Sequence, residues 1–201
     1  MPILFRRYLY DLKYPHHAGA HVAVSACPQY EGNITTKASA SISFFTPSDS
    51  TGISGHRKEQ IRATVSFQGF PRYDTVLVRT AVRANVQPGL HGLLVAHLVL
   101  LFNFPFESKD CPTAVVRWFT FDGESLDEDS GMCIIKPQNH PDGKPSFGLI
   151  PVEAIVRACH LIPVYGKVAV PPRVKFHNSL HLFKSYYLNK FIDHHSFEIL
   201  S

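Results

Sequence analysis

Apolar positions along this chain recur in short alternating runs broken by turn formers, and apolar residues at helical spacing are confined to the two ends. The run 152–166, VEAIVRACHLIPVYG, is apolar on both alternating faces and carries only Glu153 and Arg157 as formal charges. That is the pattern of a strand buried on both sides. Residues 93–102 are likewise apolar on both faces, with Pro105 predicted to break the strand. Tyr73, Thr75 and Leu77 alternate with Val76 and Val78 over 73–79. Further short strands are predicted at 113–121, 131–136 and 147–152. They are separated by a long acidic loop at 122–131 and the turn NHPDGKP. Six short strands with Gly/Pro turns predict a small barrel or sandwich, which 152–164 closes.

The flanks read differently. Leu4, Tyr8 and Leu12 recur at helical spacing over 2–14, and Pro15 ends that helix. Residues 34–45 alternate small polar and apolar residues, as a modest strand or an extended arm, and 46–55 is a cluster of turn formers. HRKEQIRA, residues 56–63, is the densest basic patch, with residues spaced to share a helical face. After Pro171 and Pro172, Asn178 or Ser179 is placed to cap a helix running to about residue 195. Leu180, Phe183, Tyr187, Leu188, Phe191 and Ile192 would line one face of it. Three parts follow: 1–70, an N-terminal helix and extended arm; 71–166, a β-barrel core; and 167–201, a C-terminal helix packed on that core. The expected class is mainly β (α+β).

Composition narrows the function classes. The 201 residues suit one domain, and an apolar content of 45% is enough for a substantial core. Residues 1–90 hold ten Lys/Arg against five Asp/Glu, a net +5, while 91–201 hold ten against eleven, a net −1. A basic front half suits phosphate or an acidic partner. Cys27, Cys111, Cys133 and Cys159 stand far apart, without the spacing of a zinc knuckle or redox motif. Reduced thiols fit a nuclear or cytoplasmic compartment, intracellular and reducing. The N-terminus lacks a secretory cleavage pattern, and the apolar run 93–102, interrupted by His97, is too short to span a bilayer. No membrane association is expected.

Several constellations invite chemistry and then lose to simpler accounts. Cys159 and His160 are neighbours, so on a strand they point to opposite faces and cannot pair; both are expected in the core. His177 and His181 with His194 would hold a metal only if the predicted helix bent back on itself. The acidic loop, with Asp122, Glu124, Asp127, Glu128 and Asp129, lacks the alternate ligand spacing of a calcium loop. No phosphate loop, GxGxxG, GxSxG or HExxH occurs, so no cofactor is expected. Arg57, Lys58, Arg62 and Arg72 are the candidate nucleic-acid contacts, since phosphate contact needs only exposed positive charge. Against them stand Glu59 in their midst and the lack of an interleaved stacking platform. Trp118, Phe121 and Tyr165 are the candidate aromatic pocket for a cation such as methyl-lysine, against a plain core role for Trp118.

The blocks FRRYLYDLKYP, FFTPSDSTGISGHRKEQIRA, PRYDTVLV, DEDSGMCIIKP, VEAIVRACHLIPVYG and YYLNKFIDHHSFEI occur in that order. The series resembles the C-terminal region of large fungal proteins of the Plavaka-type transposon and transposase-associated group, over about residues 5–199. The resemblance implies mobile-element machinery or its relic in a nucleus. It does not imply transposase activity, because nothing here matches the acidic residues of an RNase H-like domain. Cys133 stands where related sequences are expected to carry tryptophan. Residues 71–166 are also similar in pattern to bromo-adjacent-homology domains, β-rich chromatin modules without catalytic residues.

The expected fold is a small SH3-like or bromo-adjacent-homology-like barrel with an N-terminal arm and a C-terminal helix. The expected function is a non-catalytic protein- or chromatin-interaction module. The alternatives are a DNA-binding accessory domain using the basic front half and, behind it, a metal-dependent hydrolase using the histidines.

Overall fold

A computed structural model of the protein describes residues 2–15, 21–46, 55–79, 90–123, 126–167, 169–175 and 177–201. Helix α1 (Pro2–Lys13) is followed by β1 (Thr35–Lys37), β2 (Ser39–Phe45), β3 (His56–Phe67), β4 (Phe70–Tyr73) and β5 (Thr75–Arg79). Two long strands come next, β6 (Leu93–Phe106) and β7 (Lys109–Phe121), then β8 (Cys133–Pro137) and β9 (Phe147–Pro151). The chain ends with β10 (Ile155–Cys159), β11 (Leu161–Pro163), β12 (Tyr186–Leu188) and α2 (His194–Leu200). The main sheet runs β10-β5-β6-β7-β8-β12-β11 and is antiparallel throughout. Its two ends, β10 and β11, are separated in sequence by His160 alone. The chain itself therefore joins the two edges, and the sheet is a nearly closed barrel.

Period-two alternation explains why the central strands are apolar on both faces. Val76 and Val78 enter a core cluster with Ile42, Ile61, Leu98 and Val116, under the separate sheet β2-β3-β4. Leu77 and Val95 face the other way, into a cluster with Phe119, Ile135, Tyr186 and Leu188. A third cluster lies where Tyr8 and Leu9 of α1 meet Phe102, Phe104 and Val115. Each side chain so buried contributes roughly 2 kcal/mol of apolar transfer energy.

Four sequence expectations are corrected. Pro105 does not end β6; it pairs with Asp110, beyond the three residues that β1 bonds, so its missing N–H costs no ladder bond on that edge. The run 152–164 is not one strand: a 3-10 turn at Val152–Ala154 precedes β10, and His160 then passes the chain from β5 to β12. HRKEQIRA is extended, because β2 pairs antiparallel with it from His56 to Arg62 and β4 takes up the same strand from Ala63 onward. The helix expected from 178 to about 195 is absent. A short 3-10 turn at Ser179–His181 leads into β12, and α2 begins only at His194. Tyr186 and Leu188 bury on one side in strand alternation, and open edges on β8 and β11 outweigh local helical spacing.

The barrel therefore takes a strand from beyond residue 166, and its core takes Ile42 and Ile61 from before residue 71. Most of the turn-rich stretch 46–55 lies outside the described residues, as does Glu124 of the acidic loop. Among the described residues no helix is long and apolar enough to cross a membrane. All four cysteines are free thiols.

Candidate functional site

Strand alternation and the crossover at His160 open a cleft of about 770 Å³ between the β3–β4 hairpin, the β10–β11 junction and the segment leading to α2. The hairpin forms because Gln68 and Gly69 both take positive φ, 52° and 87°, between the paired residues Phe67 and Phe70. Such a two-residue turn matches strand twist, and glycine carries the second position without strain. The hairpin holds Phe70, Arg72 and Tyr73 along one wall.

His97 sits at the cleft floor, buried, with its Nε2 donating to the Tyr73 carbonyl at 3.2 Å. Burial pulls its pKa down to about 4, and the neighbouring His181 and Arg117 act in the same direction. It is therefore the neutral Nε2–H tautomer. Tyr73 and His181 meet its ring edge-on, at centroid distances of 6.2 and 5.7 Å. His177 stacks on Phe70 at 5.4 Å.

The opposite wall is built on Arg157. Its guanidinium grips both Asp193 oxygens, at 2.8 and 2.5 Å, and Nη1 also donates to His195 Nδ1 at 3.1 Å. Nε bonds the Ala158 carbonyl at 3.1 Å. A buried guanidinium needs this many acceptors to offset its lost hydration. Phe44 stacks on His195 with centroids 4.8 Å apart, and the Arg157 guanidinium carbon lies 5.0 Å from the Phe44 ring centre. Burial and the Arg157 charge both lower the His195 pKa. Glu59 reaches across from β3 to accept the Ala158 N–H at 2.9 Å. Asp74 accepts Arg72 Nε and the Arg62 backbone N–H, both at 2.8 Å.

The cleft gathers residues that spacing alone did not associate. His177 and His181 do meet in it, but His194 stands apart, exposed on α2 and 3.4 Å from Glu198. Among the described residues no group of three His, Cys, Asp or Glu is placed to hold a metal ion. Cys159 and His160 both line the cleft without forming a dyad. Burial pushes the Cys159 thiol up to about 12, so it is no nucleophile near neutral pH. His160 is exposed, not in the core, and its Nδ1 accepts from Asn189 Nδ2 at 3.2 Å.

The aromatic trio does not assemble. Trp118 packs on the core cluster under β2-β3-β4 and Phe121 on the barrel-interior cluster, because three residues along a strand reverse the face. Tyr165 is exposed and contacts Phe183 at 6.2 Å. The basic residues divide as well. Arg57 shares the inward face of β3 with Glu59 and Ile61, while Lys58 and Arg62 face solvent and are joined by Arg72 on β4. No family model, curated protein or solved structure matches the chain.

The residues missed in the sequence are His97, Tyr73, Glu59 and the pair Arg157 and Asp193. Only Arg157 carried a signal, as the lone cation inside an apolar run that would have to find a buried counter-charge.

Proposed function

We propose that this protein is a non-catalytic interaction module that holds a segment of a protein partner in the cleft beneath the β3–β4 hairpin. The observation that carries this reading is the state of the cleft's ionisable groups. Arg157 is held by Asp193, Arg72 by Asp74, Glu59 by a backbone N–H, and desolvation keeps the half-buried Cys159 thiol protonated. Groups so engaged shape a binding surface and hold no proton or electron pair ready for a substrate. The cleft offers a ligand ring surface from Phe70, Tyr73 and the histidines.

The resemblance to the C-terminal region of fungal Plavaka-type proteins, and to bromo-adjacent-homology domains, favours a chromatin partner in a nucleus. A nearly closed small barrel is compatible with an SH3-like or bromo-adjacent-homology-like fold. The test is fluorescence polarisation against a panel of labelled histone-tail peptides. Saturable binding is expected, weakened by Phe70→Ala and Tyr73→Ala and unchanged by Lys109→Ala at the start of β7, outside the cleft. Absence of saturable binding across the panel removes the chromatin reading.

A further inference from the structure

The sheet β2-β3-β4 presents a second surface whose composition is set by alternation in β3. Of the run His56 to Thr64, Arg57, Glu59, Ile61 and Ala63 turn inward, and His56, Lys58, Gln60, Arg62 and Thr64 turn to solvent. The pairing register then places Ser39 opposite Arg62, Ser41 opposite Gln60, Ser43 opposite Lys58 and Phe45 opposite His56. On the other side Arg72 lies opposite Thr64. Lys58, Arg62, Arg72 and the hydroxyls are thereby collected on one face, and the strand's only carboxylate is sent with Arg57 to the other. Glu59 is moreover occupied there by the Ala158 N–H. Asp74, beside β4, is taken up by Arg72 and the Arg62 backbone.

Both ends of this face carry stackable planes. The exposed Phe45 ring lies 5.1 Å from His56 at one end. At the other, the Arg62 and Arg72 guanidinium carbons lie 4.3 and 5.0 Å from the Phe67 ring centre. Lys58 and Arg62, four residues apart on an extended strand, stand about 13 Å from each other. A flat face with charge in the middle and planes at the ends suits a polyanion whose bases are free to stack. A duplex hides its bases, and its major groove admits a helix or a two-stranded ribbon more readily than the face of a three-stranded sheet.

We propose that the solvent face of β2-β3-β4 binds single-stranded nucleic acid. Lys58 and Arg62 meet phosphates, the serine hydroxyls donate to phosphate oxygens, and the Phe45, His56 and Phe67 rings receive unpaired bases. This face adjoins the cleft and shares Gln60, Phe67 and Arg72 with its rim, whereas Lys58, Arg62 and Phe45 do not line the cleft and carry the test.

The experiment is fluorescence anisotropy of the whole chain with labelled oligothymidine, oligouridine and a duplex of equal length, from about 50 to about 200 mM salt. Single strands are expected to bind, with affinity falling as salt rises. Lys58→Ala and Arg62→Ala should each lower the salt slope by about 0.7. The double variant Lys58→Glu with Arg62→Glu should weaken binding by roughly tenfold or more. Phe45→Ala should weaken binding while leaving the slope unchanged, because stacking releases no counterion. Lys109→Ala should change neither, and unaltered thermal unfolding of each variant shows that the fold is kept. Four outcomes overturn the proposal. They are no single-strand binding at low salt, equal binding of duplex, indifference to the Lys58 and Arg62 changes, and equal competition by polyglutamate, which would mark an acidic protein as the ligand. A preference between oligothymidine and oligouridine decides which nucleic acid the face takes.

Discussion

Arg157 and Asp193, separated by 36 residues, meet as a bidentate ion pair with contacts of 2.8 and 2.5 Å. The pair fastens the edge of the barrel wall to the start of α2. Asp193 also caps that helix, accepting the Ser196 N–H at 2.7 Å. Arg157 is almost fully buried, so the carboxylate is what makes its position tolerable.

Asp193→Ala is expected to destabilise the protein by about 3–5 kcal/mol, since it strands a buried guanidinium and removes a cap. Asp193→Asn keeps a capping oxygen and should cost less. Partial burial acts to raise the Asp193 pKa, but the Arg157 hydrogen bonds and charge and the Ser196 N–H together hold it well below the usual carboxylate range. Its contribution is therefore full above the unfolded value of about 4 and fades as pH falls further. Urea unfolding of both variants near neutral and acidic pH checks the order and the acid loss.

His97 predicts a second pH dependence at higher pH. Its pKa is lowered to about 4 by burial and by the nearby His181 and Arg117, whereas the unfolded chain takes up that proton near pH 6.5. Between those values the unfolded state binds more protons, so stability rises with pH and is lost as pH falls. The loss from about pH 6.5 to about pH 5 is on the order of 2 kcal/mol. His195, also lowered, acts with the same sign. Urea midpoints across this range should fall steadily in the native chain, and His97→Gln should flatten the slope whatever it does to absolute stability. An unchanged slope would show that His97 is not the proton acceptor.

Gly148 predicts a steric effect. A Cβ built there would lie 2.4 Å from Trp118 Nε1 and 2.8 Å from Cε2, and Trp118 is itself packed on the core. Gly148→Ala should cost about 1–3 kcal/mol through this overlap. Trp118→Leu on the same background should recover part of the loss. A double-mutant cycle with additive effects would show that the indole simply swings away.

What was legible in the sequence is what depends on neighbours along the chain. The α1 spacing and the two-faced apolar runs of β5, β6 and β10 announce themselves in short windows, and so does the closing role of the run after residue 152. Pro105 inside β6 and the extended form of HRKEQIRA are decided by which edges find partners, and a single window contains neither partner. β12 is the sharper case, because Tyr187 and Leu188 fit a helical face as well as a strand until the edges of β8 and β11 compete for them. The cleft was illegible for the same reason. Tyr73, His97, Arg157, His181 and Asp193 converge only after the barrel has closed. The basic face of β3 lay nearer the surface of the sequence, since reading residues 56–64 with a period of two would have sent Glu59 away from Lys58 and Arg62.

Barrel closure carries the last prediction. β12 lies between β8 and β11, pairing Tyr186 with Ile135 on one side and with Pro163 on the other. Tyr186 and Leu188 are buried, at 0% and 1% exposure, and the Tyr186 hydroxyl bonds the Ser179 and Phe183 carbonyls at 3.1 Å. A fragment of residues 71–166 therefore lacks the strand that joins two walls, together with the Ile42 and Ile61 side chains that cover β5 and β6. It should unfold without a cooperative transition and bind a hydrophobic dye, as a collapsed chain with exposed apolar surface does. The chain of 201 residues should give a single sigmoidal transition by circular dichroism and by tryptophan fluorescence. A cooperative transition in the fragment would mean that β12 docks on a barrel already complete, and the junction at His160 would then be a consequence of closure and not its cause.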